Sequence, residues 1–421
     1  MFFQTMYNVV DSVWAGEIST TALAALGLSF PVYLLIIATS GGLSRGASAL
    51  IANAIGAEEV ENQQRFVAQS LSMGMLSATA LMFIGFWSAP SLFRLLGAEG
   101  EYLNTALLYM NPIFCATLFF VMNSLSNAIL IVNGDSKTYG IVLVVGFLMN
   151  LVLDPWFLYG GLGVPAMGVT GIAWATVLIQ FCTSLFMFST VVRRGLLGPL
   201  SWRRLLPDLS TYWEIAVQAV PATFNIVSVA LGFFVTTFFL KSYGPETVAA
   251  FGVTTRIEQI CLLPTIGLYA AIMALVGQNN GAKRDDRIRE TMRWCNALGM
   301  AVNITISLLI WIFAAPLMRV FTDDDAVVEI GVGCLRVIML VQWSYVSTSI
   351  HLAMLQAIKR PFYGFFESIS RKVLLPLPFF WLFVLQYGYP LDFVWYSIAG
   401  TNVFMTVITV AFAQFVLRTK K

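Results

Sequence analysis

Two acidic residues interrupt apolar stretches of this sequence, and their side chains are the most suited to chemistry. Asp154 follows Asn150 by four residues and directly precedes Pro155, within the run MNLVLDPWFLYG. Asp11 lies in another apolar run near the start of the chain. A carboxylate in such surroundings binds a proton, binds a metal cation or pairs with a basic side chain. Which of these applies depends on the elements that hold the two acids.

The composition indicates that those elements are membrane-spanning helices. Of the 421 residues, 58% are hydrophobic and 11% are charged, whereas soluble domains contain about 25% charged residues. Most apolar runs reach the roughly 20 residues that a helix needs to cross about 30 Å of hydrocarbon. We therefore predict an all-α membrane protein with twelve spans, numbered in chain order, near residues 1–16, 22–54, 66–88, 103–132, 139–159, 167–192, 213–241, 247–279, 292–314, 329–358, 363–386 and 392–417.

The basic residues predict the orientation of these spans. The even-numbered connections and the C-terminal tail hold sixteen Lys and Arg residues, counting Arg293 at the edge of span 9, whereas the odd-numbered connections hold three. Basic residues are retained on the cytoplasmic side of a membrane. We therefore expect both termini in the cytoplasm and the protein in the plasma (inner) membrane.

The chain also repeats itself with a shift of 225 positions. Ungapped alignment at this shift gives ten identities between residues 24 and 74, four of them glycines. Two six-helix lobes with a parallel repeat are a transporter architecture. We predict an N-terminal lobe at 1–192, a cytoplasmic linker at 193–212 and a C-terminal lobe at 213–421. The counterpart of Pro221 in span 7 would precede Met1, so span 1 looks truncated by ten or more residues, through a misassigned start or a shortened chain.

The two halves differ at the acids. Asp11 aligns with Thr236, and Asp154 aligns with Pro378 or Phe379. Because the second half does without both carboxylates, they are not needed to build the helix bundle.

Five oxygen-bearing side chains of the first half fall at similar depths. At 1.5 Å per residue, Asp11 and Asp154 lie about 9 Å below the outer surface, Tyr109 and Thr176 about 10–14 Å, and Asn150 one turn below Asp154. No Lys, Arg or His shares this layer in spans 1, 4, 5 and 6. The layer therefore predicts binding of a proton or of a hard cation such as Na⁺.

Three further polar features of the sequence carry expectations of their own. Pro155 displaces a helical hydrogen bond and predicts a kink beside Asp154. Arg256 and Glu258 in span 8 either engage substrate from the second lobe or form a local polar patch. Glu367 and Arg371 have the i, i+4 spacing typical of a salt bridge.

Several segments together resemble the multidrug and toxic compound extrusion (MATE) family, in its prokaryotic DinF-like branch. They are LDPWFLYG with GVTGIAWAT, the connection VNGDSKTYG, the connection GQNNGAKRDDR and the duplicated twelve-span layout. The resemblance covers nearly the whole chain and implies export of cationic, often aromatic drugs in exchange for Na⁺ or H⁺. It also implies an ion site at Asp11, Asn150, Asp154 and Thr176, with Tyr109 beside it. The family's proline in helix 1, whose bending is proposed to couple ion and drug, has no counterpart in this sequence.

We accordingly predict a secondary antiporter that exports lipophilic or aromatic cations, with a flippase for a lipid-linked saccharide as the alternative. An enzyme is not expected, because the sequence shows no metal or nucleophile constellation, and its Gly-x-Ser-x-Gly pattern, GLSRG, lies inside span 2 with no strand before it. It also shows no phosphate-binding loop, so no ATP drive is expected. We expect no cofactor other than the coupling ion, Na⁺ or H⁺. The expected partners are small organic cations and the lipid bilayer, with no nucleic acid, and the protein is expected to be a monomer.

Overall fold

The computed structural model describes residues 2–161, 163–199 and 202–419, and these residues are almost entirely helical. They form no β-strand, only an isolated bridge between Gly161 and Val164. Eleven of the described helices are long and apolar enough to cross a membrane. The predicted all-α membrane fold is therefore confirmed.

The first half of the chain contains six long helices. Their bounds are α1 Phe2–Ile18, α2 Thr20–Gly56, α3 Val60–Leu95, α4 Gly100–Val132, α5 Lys137–Tyr159 and α6 Val169–Arg193. The first predicted span corresponds to α1, which has only 17 residues. A short helix, α7 Trp202–Leu205, precedes the second half.

The second half follows the same order with more irregular segments. Its helices are α8 Leu209–Leu240, α9 Pro245–Gly281, α10 Asp285–Ile312, the short α11 Ala314–Arg319, α12 Asp325–Ala357, α13 Phe362–Ile369, α14 Pro376–Phe380 and α15 Leu391–Thr419. A 3₁₀ turn at Lys241–Tyr243 extends α8. The predicted span 11 corresponds to α13 and α14 together with the π-helical turns Ser370–Leu374 and Trp381–Gln386.

The internal repeat is visible in the helix bounds. Four helices of the first half have a counterpart whose first residue lies 225 positions later: Thr20 and Pro245, Val60 and Asp285, Gly100 and Asp325, and Lys137 and Phe362. The shift is the one that the aligned glycines gave, so the parallel repeat is a property of the fold as well as of the sequence.

The described chain groups into two compact units. The first comprises Met1–Ala47 with Val60–Thr223, and the second comprises Ser48–Glu59 with Phe224–Lys421. The C-terminal end of α2 therefore packs within the second unit.

Close packing of glycines explains how the end of α2 is held in the second unit. A Cβ added to Gly56 would collide with the backbone of Gln278 in α9, and one added to Gly281 would collide with the backbone of Asn53. The Asn53 amide also donates to the carbonyl of Ala357 at 2.8 Å. Because Gly56 and Gly281 are repeat-related, the two helices approach through equivalent small residues, as packed helices in lipid commonly do.

Prolines explain the irregular helix between Phe362 and Gln386. Pro376 and Pro378 lack the backbone N–H that a regular helix requires. Just before them, the N–H of Leu375 donates to the carbonyl of Ser370, five residues back, at 2.9 Å. Single π-helical turns of this kind occur often at functional sites.

The connection VNGDSKTYG is held by Asp135, which lies outside the membrane-spanning segments. Its carboxylate accepts from the backbone N–H groups of Lys137 and Thr138 at 3.1 and 3.0 Å and pairs with Arg194. Burial by itself would raise the pKa of Asp135, but the Thr138 hydrogen bonds and the Arg194 charge lower it overall. Asp135 thus caps the start of α5 as a carboxylate.

Candidate functional site

An amide bridge joins the two acids of the first unit. Helix α1 packs against α5 and α6, which brings Asp11 next to the polar turn of α5. The Nδ2 of Asn150 donates to Asp11 Oδ1 at 3.1 Å and to Asp154 Oδ1 at 2.9 Å. All three side chains are buried, and Asn150 and Asp154 have no exposed surface. One amide group therefore holds two carboxyl groups together in the interior.

The buried face of α5 positions the polar pair. Its buried residues recur every three or four positions and are Val142, Gly146, Asn150, Leu153, Asp154 and Leu158. Positions four apart lie above one another on a helix. Asn150 and Asp154 therefore lie on the same inward face, whereas their neighbours Leu151 and Val152 are exposed.

Three buried oxygen atoms of this site have no hydrogen-bond donor among the described residues. They are Asn150 Oδ1, Asp154 Oδ2 and, on α6, Thr176 Oγ1. The Thr176 hydroxyl lies within reach of the Asp11 carboxyl group, although it completes no hydrogen bond with it. Leaving a buried polar atom unpaired costs about 1–3 kcal/mol. A proton or a cation bound among these oxygens would remove that cost.

Basic side chains do not compensate the two acids. Within residues 2–161, 163–199 and 202–419, neither Asp11 nor Asp154 forms an ion pair with Lys, Arg or His. Nor do three or more His, Cys, Asp or Glu side chains converge anywhere in those ranges, as a transition-metal site would require. Carboxylate, amide and hydroxyl oxygens suit a hard cation or a proton.

Two tyrosines border the site. Tyr109 of α4 was singled out by its depth, and its phenol group lies within reach of Asp11. Tyr33 of α2 was not predicted, although it lies within electrostatic range of Asp11. Its ring contacts Phe120 edge-on, with 5.5 Å between centroids. The same depth estimate, applied to span 2, places Tyr33 about 16 Å below the outer surface and could have identified it.

Pro155 lies inside α5, four residues before its end at Tyr159. The helix continues through the proline, and the kink proposed from the sequence remains a prediction.

The structure separates Arg256 from Glu258. They lie two residues apart on α9, which places them about 200° apart around the helix axis. Arg256 is exposed, whereas Glu258 is partly buried and lies within electrostatic range of Lys372 and Arg371. The predicted salt bridge between Glu367 and Arg371 is confirmed, with 2.6 Å between Oε1 and Nε.

Comparison with known proteins identifies relatives along nearly the whole chain. The profile of the MatE family matches residues 1–156 and 221–382. A probable multidrug resistance protein of Bacillus subtilis, YoeA, is 27% identical over 348 residues, which are 81% of this chain and 74% of that protein. An FAD transporter of Shewanella oneidensis is 25% identical over 375 residues, 88% of this chain and 82% of that protein.

A solved structure shows the same fold. The crystal structure of MATE in the bent conformation superposes with a TM-score of 0.92 and 26% identity, covering 99% of this chain and 92% of that one. Its agreement with this structure confirms the fold predicted from the sequence, and the matches confirm the family resemblance. The chain belongs to the MatE family and is a multi-pass membrane transporter of small molecules, not an enzyme.

Proposed function

We propose that this transporter exports lipophilic, aromatic cations in exchange for inward movement of Na⁺ or H⁺. The observation that carries the proposal is the pair of buried acids, Asp11 and Asp154, which share one amide donor and, within the described residues, have no base. The ion would bind at Asp11, Asn150, Asp154 and Thr176, with Tyr109 beside it.

Either coupling ion would bind to side chains present at this site. A proton would bind between the two carboxyl groups, which lie within hydrogen-bonding reach of each other. A sodium ion would take up the donor-free oxygens of Asn150, Asp154 and Thr176. In either case the ion shifts the balance between outward-facing and inward-facing states by its different affinity for the two.

Composition and relatives support the proposed cargo. Aromatic residues make up 14% of the chain and methionines number 17, and ring faces and soft sulfur suit flat cations. The YoeA relative is named a probable multidrug resistance protein. The asymmetry of Lys and Arg supports cytoplasmic termini. Location in the plasma membrane and action as a monomer are part of the proposal.

Gradient-driven dye transport in proteoliposomes tests the proposal. Purified protein is reconstituted with ethidium as the cationic cargo, under a sodium gradient at equal pH and under a pH gradient without sodium. We expect one gradient to drive ethidium transport against its concentration and the other to drive little. Transport that neither gradient accelerates would refute ion coupling.

A second candidate cargo is a flavin dinucleotide, because one relative is named an FAD transporter. FAD carries two phosphates, so its transport would require basic groups along its path. The same liposomes, loaded with FAD, test this candidate. Efflux of FAD without efflux of ethidium would replace the cationic cargo, whereas movement of a fluorescent lipid-linked saccharide alone would support the flippase alternative.

A further inference from the structure

The second unit contains its own charged centre, of which the sequence indicated Glu258 and the Glu367–Arg371 pair but not Lys372. Lys372 and Arg371 lie in the π-helical turn Ser370–Leu374, and both contact Tyr345 of α12. The ammonium group of Lys372 donates to the Tyr345 hydroxyl at 3.3 Å and lies 4.7 Å from its ring centroid. The guanidinium carbon of Arg371 lies 4.9 Å from the same centroid.

The two basic residues differ in how firmly they are held. Arg371 pairs with Glu367 at 2.6 Å and donates to Asn402 Oδ1 at 2.9 Å. In the part of the chain that the structure describes, Lys372 has one polar partner, the Tyr345 hydroxyl. A lysine ammonium on its flexible four-carbon stem reorients more easily than a guanidinium fixed by two partners. Arg371 is therefore fixed by two polar partners, whereas Lys372 would have to give up only one to move.

Glu258 of α9 is the acid near Lys372 and Arg371 that forms an ion pair with neither of them. In the described residues 2–161, 163–199 and 202–419, it forms no ion pair with a basic side chain. Lys372 and Arg371 act on it only at longer electrostatic range. The Lys372 ammonium group is thus within electrostatic range of Glu258, but its direct contact is with Tyr345.

Gln342 of α12 is a second buried polar residue of this centre. It has no exposed surface, and its amide lies within reach of the Glu258 carboxylate. Within the described part of the chain, neither its Nε2 nor its Oε1 completes a hydrogen bond. Buried amides are almost always paired, so this pair of atoms marks a place for a hydrogen-bonding ligand.

We propose that Glu258 and Gln342 form a second cation site, which binds an organic cation bearing N–H donors, and that Lys372 is its built-in competitor. With cargo bound, the ligand cation occupies Glu258 and Lys372 rests on Tyr345. When cargo leaves, the Lys372 ammonium moves to Glu258. This inference deepens the proposed export function and rests on it for the identity of the cargo.

The chemistry favours an organic cation over the alternatives. One carboxylate and one amide supply too few hard oxygens for a metal ion, which takes six or more in the case of Ca²⁺. An ammonium or amidinium group can donate to both Glu258 and Gln342 Oε1, and a charged hydrogen bond of this kind is strong. An anion would have to compete with Glu367 for Arg371, whose charge is already neutralised.

Equilibrium binding of a fluorescent amidinium dye, DAPI, to the purified full-length protein tests the site without any gradient. We expect Glu258→Gln to raise the Kd for DAPI by about tenfold or more, since a charge-assisted hydrogen bond is lost. Glu246→Gln, the same change at an exposed acid in the first turn of α9, is the control and should change the Kd by less than about twofold, as expected of a side chain outside the site. An unchanged Kd in Glu258→Gln would overturn the site.

Lys372→Met tests the competitor. Removing the internal cation should lower the Kd for DAPI and, in proteoliposomes, lower both KM and the maximal rate, because release of cargo slows. Lys372→Arg should restore weaker binding. In the double variant with Glu258→Gln, the effect of Lys372→Met should disappear, which shows that the two residues act on each other.

The outcomes separate this inference from the proposed function. Weaker DAPI binding in Lys372→Met, or lost FAD binding with DAPI unaffected, would overturn the competitor and make Lys372 a ligand for cargo. Normal DAPI binding in a protein that no gradient drives would instead refute ion coupling and leave the second site standing.

Discussion

The substitution Asp154→Asn removes one carboxylate charge from the site and nearly keeps the shape of the side chain. The amide has nearly the volume of the acid and keeps an oxygen that can accept from Asn150, whose Nδ2 lies 2.9 Å from Asp154 Oδ1. The fold should therefore survive. An ion at this site would lose one of its two carboxylates, and a hydrogen bond or contact to a charged group is worth about 1.5–3 kcal/mol. That loss corresponds to about 10- to 150-fold in ion affinity.

The assay is ethidium transport in proteoliposomes as a function of the coupling ion. In the parent protein, the initial rate should saturate with Na⁺ or with H⁺, whichever drives transport. In Asp154→Asn, the half-saturating ion concentration should rise by about 10- to 150-fold. Asp392→Asn, which changes an exposed acid at the start of α15, is the matched control and should leave it unchanged.

The result that refutes the reasoning is equally definite. If Asp154→Asn reconstitutes normally and shows the parent's half-saturating concentration under both gradients, the buried pair does not bind the coupling ion. The donor-free oxygens of the site would then be structural, and the coupling group would have to be sought elsewhere.

Three further predictions concern thermal unfolding of the purified protein in detergent. Gly281→Ala should lower the free energy of unfolding by about 1–3 kcal/mol, because the added methyl group overpacks against the end of α2. The control Gly252→Ala, which has nothing within 4 Å of the added Cβ, should not destabilise the protein. Equal effects of the two changes would contradict the close approach. Asn150→Leu should lower the melting temperature, because it leaves both acids without their shared donor, and a melting temperature equal to the parent's would show that the bridge is dispensable. Asp135→Asn should cost about 0.5–2 kcal/mol at neutral pH by weakening a helix cap. The pKa of Asp135 is lowered in the folded protein. Its contribution to stability is therefore complete above the unfolded pKa of about 3.9 and is lost as the pH falls through the folded pKa. The stabilities of parent and variant should become equal in acid, and a difference that persists there would refute the carboxylate cap.

The depth of each group could be predicted from the sequence because it depends on local geometry. A helix rises about 1.5 Å per residue, so counting residues from a charged connection is enough to place Asp11 and Asp154 in one layer. The spacing of Asn150 and Asp154 likewise fixes their common face. That the Asn150 amide donates to both acids at once could not be predicted, because it depends on how closely α1 approaches α5.

The charged centre of the second unit shows what local geometry leaves open. The spacing of Arg256 and Glu258 alone places them on different sides of α9, but it does not tell which groups of other helices approach Glu258. Lys372 was not singled out, since nothing along the chain connects it to Glu258 or to Tyr345. Their proximity depends on the π-helical turn Ser370–Leu374, which changes the direction of every side chain that follows.

The sequence by itself determined the membrane class, the helices, the 225-residue repeat and the layer of acids, because hydropathy, helical rise and self-similarity are properties of contiguous residues. Only the tertiary structure decided which helices pack together. That packing gives Asp11 and Asp154 their shared donor, Asn150, and brings Lys372 to Tyr345. The physical reason is that a partner is chosen by the rotation and approach of distant helices, and these depend on packing over the whole of each unit.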